Sequence, residues 1–256
     1  MATEELGEPD LAGVAAALGD PRRIKILYAL ADGAALPASR LATEAGVSAS
    51  TVSTHLAGLL ANGLVRVEPQ GRFRFYRLAG DDVEGILEAL ARVAPRKPVT
   101  SLREHTRSAA LRTGRTCYRH LAGRLGVDLF AGLLRLGWIG GGDGRHDPTI
   151  AGDRLSAPGH GDQYRLTVTG TAGLAELGVD PDPVTDAAPL RYCVDWTEQR
   201  HHLAGRLGAA IADRLLERDW VRRGTVPRSV RLTQAGETGL DRVGLVSSGQ
   251  LAGRSS

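Results

Sequence analysis

Two short segments of the 256-residue chain hold thiols and imidazoles close together. "CYRH" puts Cys117 three residues before His120, and "CVDWTEQRHH" puts Cys193 nine before His202, with His201 between them. Two thiolates and two imidazoles are a donor set that a tetrahedral zinc ion accepts. The unequal spacing argues against such a site, because on a helix only Cys117 and His120 would share a face, and there is no Cys-x2-Cys knuckle. A cysteine beside a histidine could also serve as nucleophile and base. No residue pattern supplies an orienting acid or an oxyanion hole, and "GGGDG" lacks the Lys-Ser/Thr ending of a phosphate-binding loop. Neither catalysis nor a resident metal or cofactor is expected. A metal- or redox-responsive use of Cys117 and Cys193 stays open as an alternative.

Both histidines open the same heptapeptide. "HLAGRLG" begins at His120 and again at His202, and over the twenty residues that follow each start, ten positions are identical. Each copy closes on a tryptophan, Trp138 or Trp220, and is followed later by "YRLTVTGTAGL" or "VRLTQAGETGL". The pattern predicts two related helix–strand–helix units stacked on one another, since each alone is too small for a core. Leu121, Leu125 and Leu129 form one apolar stripe, and Leu203, Leu207 and Ile211 repeat it. The segment "LREHTRSAALRTGRTCY" reads as a helix running into the first copy. The small residues leave room either for a helix crossing or for a ligand between the copies. A small organic effector would find aromatic walls in Tyr118, Phe130, Trp138, Tyr192 and Trp196. Cys117, His120, His202, Arg124 and Arg206 would orient its polar groups.

Ahead of these units lies a different pattern. Leu11, Val14, Ala15 and Leu18 fall on one helical face. Asp20-Pro21 ends that helix and opens another, carrying Ile24, Leu27, Tyr28 and Leu30. A short helix with Leu41 and Ala42 inward stops at Gly46, placed for a left-handed turn. Ser48 caps the next helix, "ASTVSTHLAGLLANG". Its inward stripe is Val52, Leu56, Leu59 and Leu60, and its first half carries Ser50, Thr51, Ser53, Thr54 and His55. Short donors and acceptors at the start of a helix suit the major groove of DNA. Then "LVRVEPQGRFRFYRL" reads as a hairpin turning at Pro69, Gln70 and Gly71, with Arg72 and Arg74 at a basic tip that can reach the phosphate backbone or minor groove. One more amphipathic helix covers 82–94.

Residues 10–94, through "DPRRIKILYAL", "LATEAGVSASTVSTHLAGLLANGLV" and "GRFRFYRL", resemble the ArsR/SmtB family of bacterial winged helix-turn-helix repressors. The resemblance implies a homodimer on a near-palindromic double-stranded operator, paired through the first and last helices of the domain, and repression relieved by an inducer. It places groove reading on Ser50, Thr51, Ser53, Thr54 and His55 and wing contact on Arg72. Ala49 stands where the family favours Gln, which removes one expected base contact. The family's metal sites are missing their ligands: Pro37 and Ser39 occupy the Cys-x-Cys positions, and "AGDDVEGILEAL" has Asp81 and Asp82 but no His.

Charge is distributed in keeping with this. The formal net charge is only +3, but residues 22–77 hold eight Arg or Lys and three acids. Two cysteines make no disulfide framework, no apolar run spans a bilayer, and the acidic start is unlike a signal peptide. A cytoplasmic protein without membrane contact is expected. The fold class read from the sequence is mainly α with small β-hairpin wings. A winged helix-turn-helix DNA-binding and dimerisation domain covers 1–94, with a linker at 95–101. An α+β effector-binding domain covers 102–248, its repeats spanning about 117–179 and 193–247, and 249–256 form a disordered tail. The expected function is a sequence-specific transcriptional repressor released by a small organic effector. The alternative outside that class is a winged-helix protein-interaction or architectural module without an effector.

Overall fold

The computed structural model describes residues 8–246, apart from 32, 34, 96, 97, 99, 148, 150–163 and 181–188. The expected disordered tail, 249–256, and most of the long loop of the first repeat lie outside the described residues. The chain divides into two compact units, Met1–Glu84 and Gly85–Ser256. The division falls within a helix, ahead of the linker expected at 95–101.

In the first unit, α1 (Leu11–Leu18) and α2 (Pro21–Leu30) are followed by β1 (Leu36–Pro37), α3 (Ala38–Ala45) and α4 (Ala49–Ala61). Asp20 caps α2 by accepting from the backbone N–H of Arg22 at 2.7 Å and of Arg23 at 3.2 Å, and Pro21 occupies the first turn, where no N–H is needed. Gly46 ends α3 in the left-handed conformation, φ 69°. Two strands, β2 (Val65–Gln70) and β3 (Phe73–Leu78), form the wing, and β1 adds to it in the antiparallel order β1-β3-β2. Gly71 and Arg72 make the turn, so Pro69 and Gln70 are strand residues paired with Arg74 and Phe73, not turn residues as the sequence suggested. Ile26, Leu27, Leu30, Leu41, Val52, Leu56, Leu59 and Leu78 form the core. One expectation about an inward face fails: Leu60 lies at the surface. On α1 only Ala17 is buried, and Leu11 is 77% exposed. A helix α5 (Asp81–Val93) follows.

After the rest of α5, the second unit continues with α6 (Leu102–Thr113), capped by Ser101. It then builds the same sequence of elements twice. The first copy is the hairpin β4 (Arg115–Cys117) and β5 (His120–Ala122), helix α7 (Gly123–Arg135), the pair β6 (Ile139–Gly141) and β7 (Tyr164–Leu166), and helix α8 (Val168–Leu177). The second is β8 (Tyr192–Val194) and β9 (His201–Leu203), α9 (Gly205–Glu217), β10 (Val221–Arg223) and β11 (Val230–Leu232), and α10 (Gln234–Arg242). Each repeat is thus richer than helix–strand–helix, with a hairpin before each helix. Thr167 and Thr233 cap α8 and α10 alike. Each accepts from the N–H three residues on and donates its hydroxyl proton to the carbonyl of Gly137 or Asp219, just before the tryptophan of its copy.

One apolar core unites both copies. It runs from Leu121, Leu125, Leu129 and Phe130 to Leu203, Leu207, Ile211 and Leu215. The packing is reciprocal: α7 lies against β9, and α9 lies against β5. The heptapeptide is not one helix, as its spacing suggested. "HLA" is a strand and "GRLG" the first turn of a helix. Gly123 (φ 69°) and Gly205 (φ 67°) make the strand-to-helix corner in a backbone region that L side chains disfavour.

Candidate functional site

The start of α4 carries a network of hydroxyls. Ser48 Oγ accepts from the Thr51 N–H at 3.2 Å and lies 2.9 Å from Ser50 Oγ and 2.8 Å from Thr51 Oγ1. Ser53 Oγ donates back to the Ala49 carbonyl at 2.9 Å, and Thr54 Oγ1 to that of Ser50 at 3.4 Å. Ser50, Thr51, Ser53 and Thr54 are all exposed. The expected reader His55 is placed differently. Its Nδ1 is 3.9 Å from Asp20 Oδ2 and its side chain is only 12% exposed, so it faces the α2 cap and not the open face of α4. The reason is local. His55 is one turn beyond Thr51, on the flank of α4 beside the Val52 and Leu56 stripe that packs against α2.

On the wing, Glu68 accepts from Arg77 Nε at 3.1 Å and Arg66 Nε at 3.3 Å, which offsets part of the charge of these two arginines. The hydrogen bond from Arg77 is the main reason the Glu68 carboxyl is held below its usual range, against the opposing effect of desolvation. Arg72 and Arg74 at the tip are exposed and have no acid partner among the described residues. Arg72 stacks over the Phe73 ring at 5.1 Å. Free cationic tips and an exposed hydroxyl-lined helix start are what a duplex backbone and base edges require.

In the second unit, Cys117 stands opposite His120 in the β4–β5 ladder, and Cys193 stands opposite His202 in β8–β9. The two pairs therefore occupy the same position in the two repeats. Their unequal spacing in sequence arises from six extra residues, 195–200, at the tip of the second hairpin. Tyr118, at φ 55°, turns the first hairpin in two residues. The structure brings all four side chains together: one ligand atom from each lies within 4.8 Å of every other. His120 Nε2 and His202 Nε2 are 3.2 Å apart, and Cys117, His120 and His202 are buried. Burial, more than the neighbouring His202, Arg228 and Arg115, pushes His120 well below the usual histidine range, with Asp195 opposing, so its imidazole is neutral.

Asp195 supports this cluster from the hairpin tip. Its Oδ2 accepts from Arg115 Nη2 at 2.9 Å and the Gly123 N–H at 2.6 Å, and lies 3.7 Å from His202 Nδ1. Its Oδ1 accepts from the N–H and hydroxyl of Thr197 and from the Glu198 N–H. Burial alone would raise the Asp195 pKa. Arg115, His202 and the Thr197 hydrogen bonds outweigh it and hold the carboxyl far below its usual range. Sequence reasoning missed Asp195 and Arg115, because no periodicity links residues eighty positions apart.

The remaining residues of the expected effector set are spread through the second unit. Tyr192 lies in the core, edge-on to Tyr164 at 5.2 Å, and Tyr164 packs edge-on against Phe130 at 4.9 Å while its hydroxyl meets His201 Nδ1 at 2.7 Å. Trp138 is buried over Gly173. Trp196 is half-buried beneath the Arg115 guanidinium at 4.8 Å. Tyr118 and Arg124 are half-buried, and Arg206 is exposed. Of the aromatic side chains expected as walls, Phe130, Trp138 and Tyr192 belong to the apolar core.

A winged helix with an open, polar helix start and a basic wing defines a DNA-binding regulator. The family model described as "Bacterial regulatory protein, arsR family" matches residues 20–67. YdfF of Bacillus subtilis (strain 168), an HTH-type transcriptional regulator, is 35% identical over 236 residues, covering 91% of this chain and 96% of that protein. The HTH-type transcriptional regulator CmtR of Mycobacterium tuberculosis is 41% identical over 93 residues, 36% of this chain and 78% of its own length. Among solved structures, NolR from Sinorhizobium fredii is 33% identical, covering 32% of this chain and 81% of that one, with a TM-score of 0.30. The chain belongs to the ArsR family of bacterial DNA-binding transcriptional regulators, with a large additional unit after the winged helix.

Proposed function

We propose that the protein is an operator-binding repressor that acts as a homodimer and takes its control signal through the second unit. The observation that carries the DNA reading is the exposed hydroxyl face of α4, Ser50, Thr51, Ser53 and Thr54, on the same unit as the exposed cations Arg72 and Arg74. Dimerisation fits the apolar side chains left at the surface, Leu11 on α1 and Leu90 and Val93 on α5, which are the helices the family resemblance pairs. Two copies then present two α4 helices to successive major-groove half-sites.

Titration of the full chain against the DNA flanking its own gene, with a scrambled duplex beside it, tests this. Specific binding to a near-palindrome, weakening as salt rises, is expected. Thr54→Ala should relax base preference, and Arg72→Ala should weaken all sequences alike. Equal affinity for operator and scrambled DNA, unaltered in both variants, would refute it.

A further inference from the structure

Four donor atoms converge between two hairpins that the rest of the second unit holds rigidly in place. We propose that Cys117, His120, Cys193 and His202 form a closed site for one zinc-class divalent cation. The inference goes beyond the DNA-binding reading and stands without it.

The geometry matches the coordination. Zinc bound to imidazole at about 2.0–2.1 Å in a tetrahedron sets the two nitrogens about 3.3 Å apart. The observed Nε2···Nε2 distance is 3.2 Å, and the set as a whole fits within 4.8 Å. Two Nε2 atoms aimed at each other use the same ring nitrogen of both histidines. That leaves Nδ1 of His202 toward Asp195 Oδ2, 3.7 Å away, the carboxylate-behind-imidazole arrangement that orients metal-binding histidines. The donors are two soft thiolates and two imidazoles, which select a zinc-class ion over magnesium or calcium. The protein supplies all four ligands, so the site is of the structural kind, with no position left open for a substrate. On binding, both thiols release their protons to solvent, and a dication with two thiolates leaves the buried site neutral.

The backbone is cut to bring the two histidines this close. A Cβ on Gly126, one turn into α7, would stand 3.5 Å from Cβ of His202 and overlap the Leu121 carbonyl. A Cβ on Gly208, the same position in α9, would stand 3.0 Å from Cβ of His120 and 2.7 Å from the Leu203 carbonyl oxygen. Each copy of "HLAGRLG" thus supplies one imidazole and, six residues later, a glycine that lies close against its own copy's Leu121 or Leu203 carbonyl and faces the Cβ of the other copy's histidine. This accounts for the doubled heptapeptide more fully than packing alone, since packing requires small residues but not histidines at the meeting point.

Metal analysis of the reduced full-length protein, followed by replacement with Co2+, tests the site without any DNA. One zinc per chain is expected, together with tetrahedral ligand-field bands and near-ultraviolet thiolate-to-cobalt charge transfer. Cys193→Ser, at the more accessible thiol, should remove about half of that charge-transfer intensity, one of two sulfur ligands, while circular dichroism stays that of a folded chain. His202→Gln should weaken Co2+ binding at least tenfold. A folded, reduced wild-type chain that takes up neither Zn2+ nor Co2+, a cobalt spectrum lacking thiolate charge transfer, or a folded Cys193→Ser chain with an unchanged spectrum would each overturn the assignment. An operator titration that fails while the cobalt spectrum holds would refute the DNA reading alone.

Discussion

Replacing Asp195 by Asn changes one oxygen for an amide group and no volume, yet it should unfold much of the second unit's stability. Arg115 and Asp195 form an ion pair in which the side chains are 2% and 0% exposed. The two carboxylate oxygens accept from Arg115, Gly123, both donors of Thr197, and Glu198. An amide keeps only one acceptor oxygen. Its NH2 must face either Arg115 and Gly123 or Thr197 and Glu198, so donors meet donors. Leaving a buried guanidinium without its counter-charge costs about 3–5 kcal/mol, a large share of the roughly 5–15 kcal/mol that stabilises a domain. The exposed pair Arg119–Asp213, at 55% and 49% exposure, is the internal control: Asp213→Asn should cost under about 1 kcal/mol. Urea unfolding followed by tryptophan fluorescence reads the difference cleanly, because all three tryptophans, Trp138, Trp196 and Trp220, lie in the second unit. If Asp195→Asn and Asp213→Asn shift the midpoint equally, the buried-pair reasoning is wrong.

Other outcomes follow from the same geometry. Zn2+ at a hundredfold excess over its dissociation constant should raise the unfolding free energy of the second unit by about 2.7 kcal/mol, and a strong chelator should reverse it in the same fluorescence assay. Gly170→Ala and Gly236→Ala should each lower the melting temperature, with a cost of about 1–3 kcal/mol, because the new methyl would overlap the carbonyl oxygen of Trp138 or Trp220. Ser48→Ala should cost about 1 kcal/mol of first-unit stability by circular dichroism, through loss of the α4 cap. Glu68 has a folded pKa below its ordinary 4.5, so its contribution to the wing is present above that pH and lost as pH falls through the lower folded value. Amide exchange of β2 and β3 should show this loosening, and Glu68→Gln should remove the pH dependence.

The winged helix was largely legible, because its signals are local. Asp20-Pro21, Gly46 and Ser48 each announce a helix boundary within a few residues, and the buried positions of α4 follow a single period apart from Leu60. The α1 face shows the limit. Leu11 and Val14 are apolar and periodic, and periodicity marks a buried face without saying which molecule buries it. The second unit was legible as a duplication but not as a geometry. Cys117 and His120 satisfy a helical i, i+3 spacing and, equally well, two facing positions of a tight hairpin, and the sequence favours neither. Comparing spacings along the chain hid the equivalence of Cys117–His120 with Cys193–His202. The quantity preserved between the repeats is ladder position, and the six residues at 195–200 change chain length without changing it. Arg115 and Asp195 pair across the two repeats, a contact only tertiary structure creates.

The reciprocal seating of His120 at Gly208 and His202 at Gly126 ties the fates of the two halves. A methyl at Gly208 would crowd Cβ of His120 across the repeat, whereas one at Gly126 would strike the Leu121 carbonyl of its own copy and only touch His202.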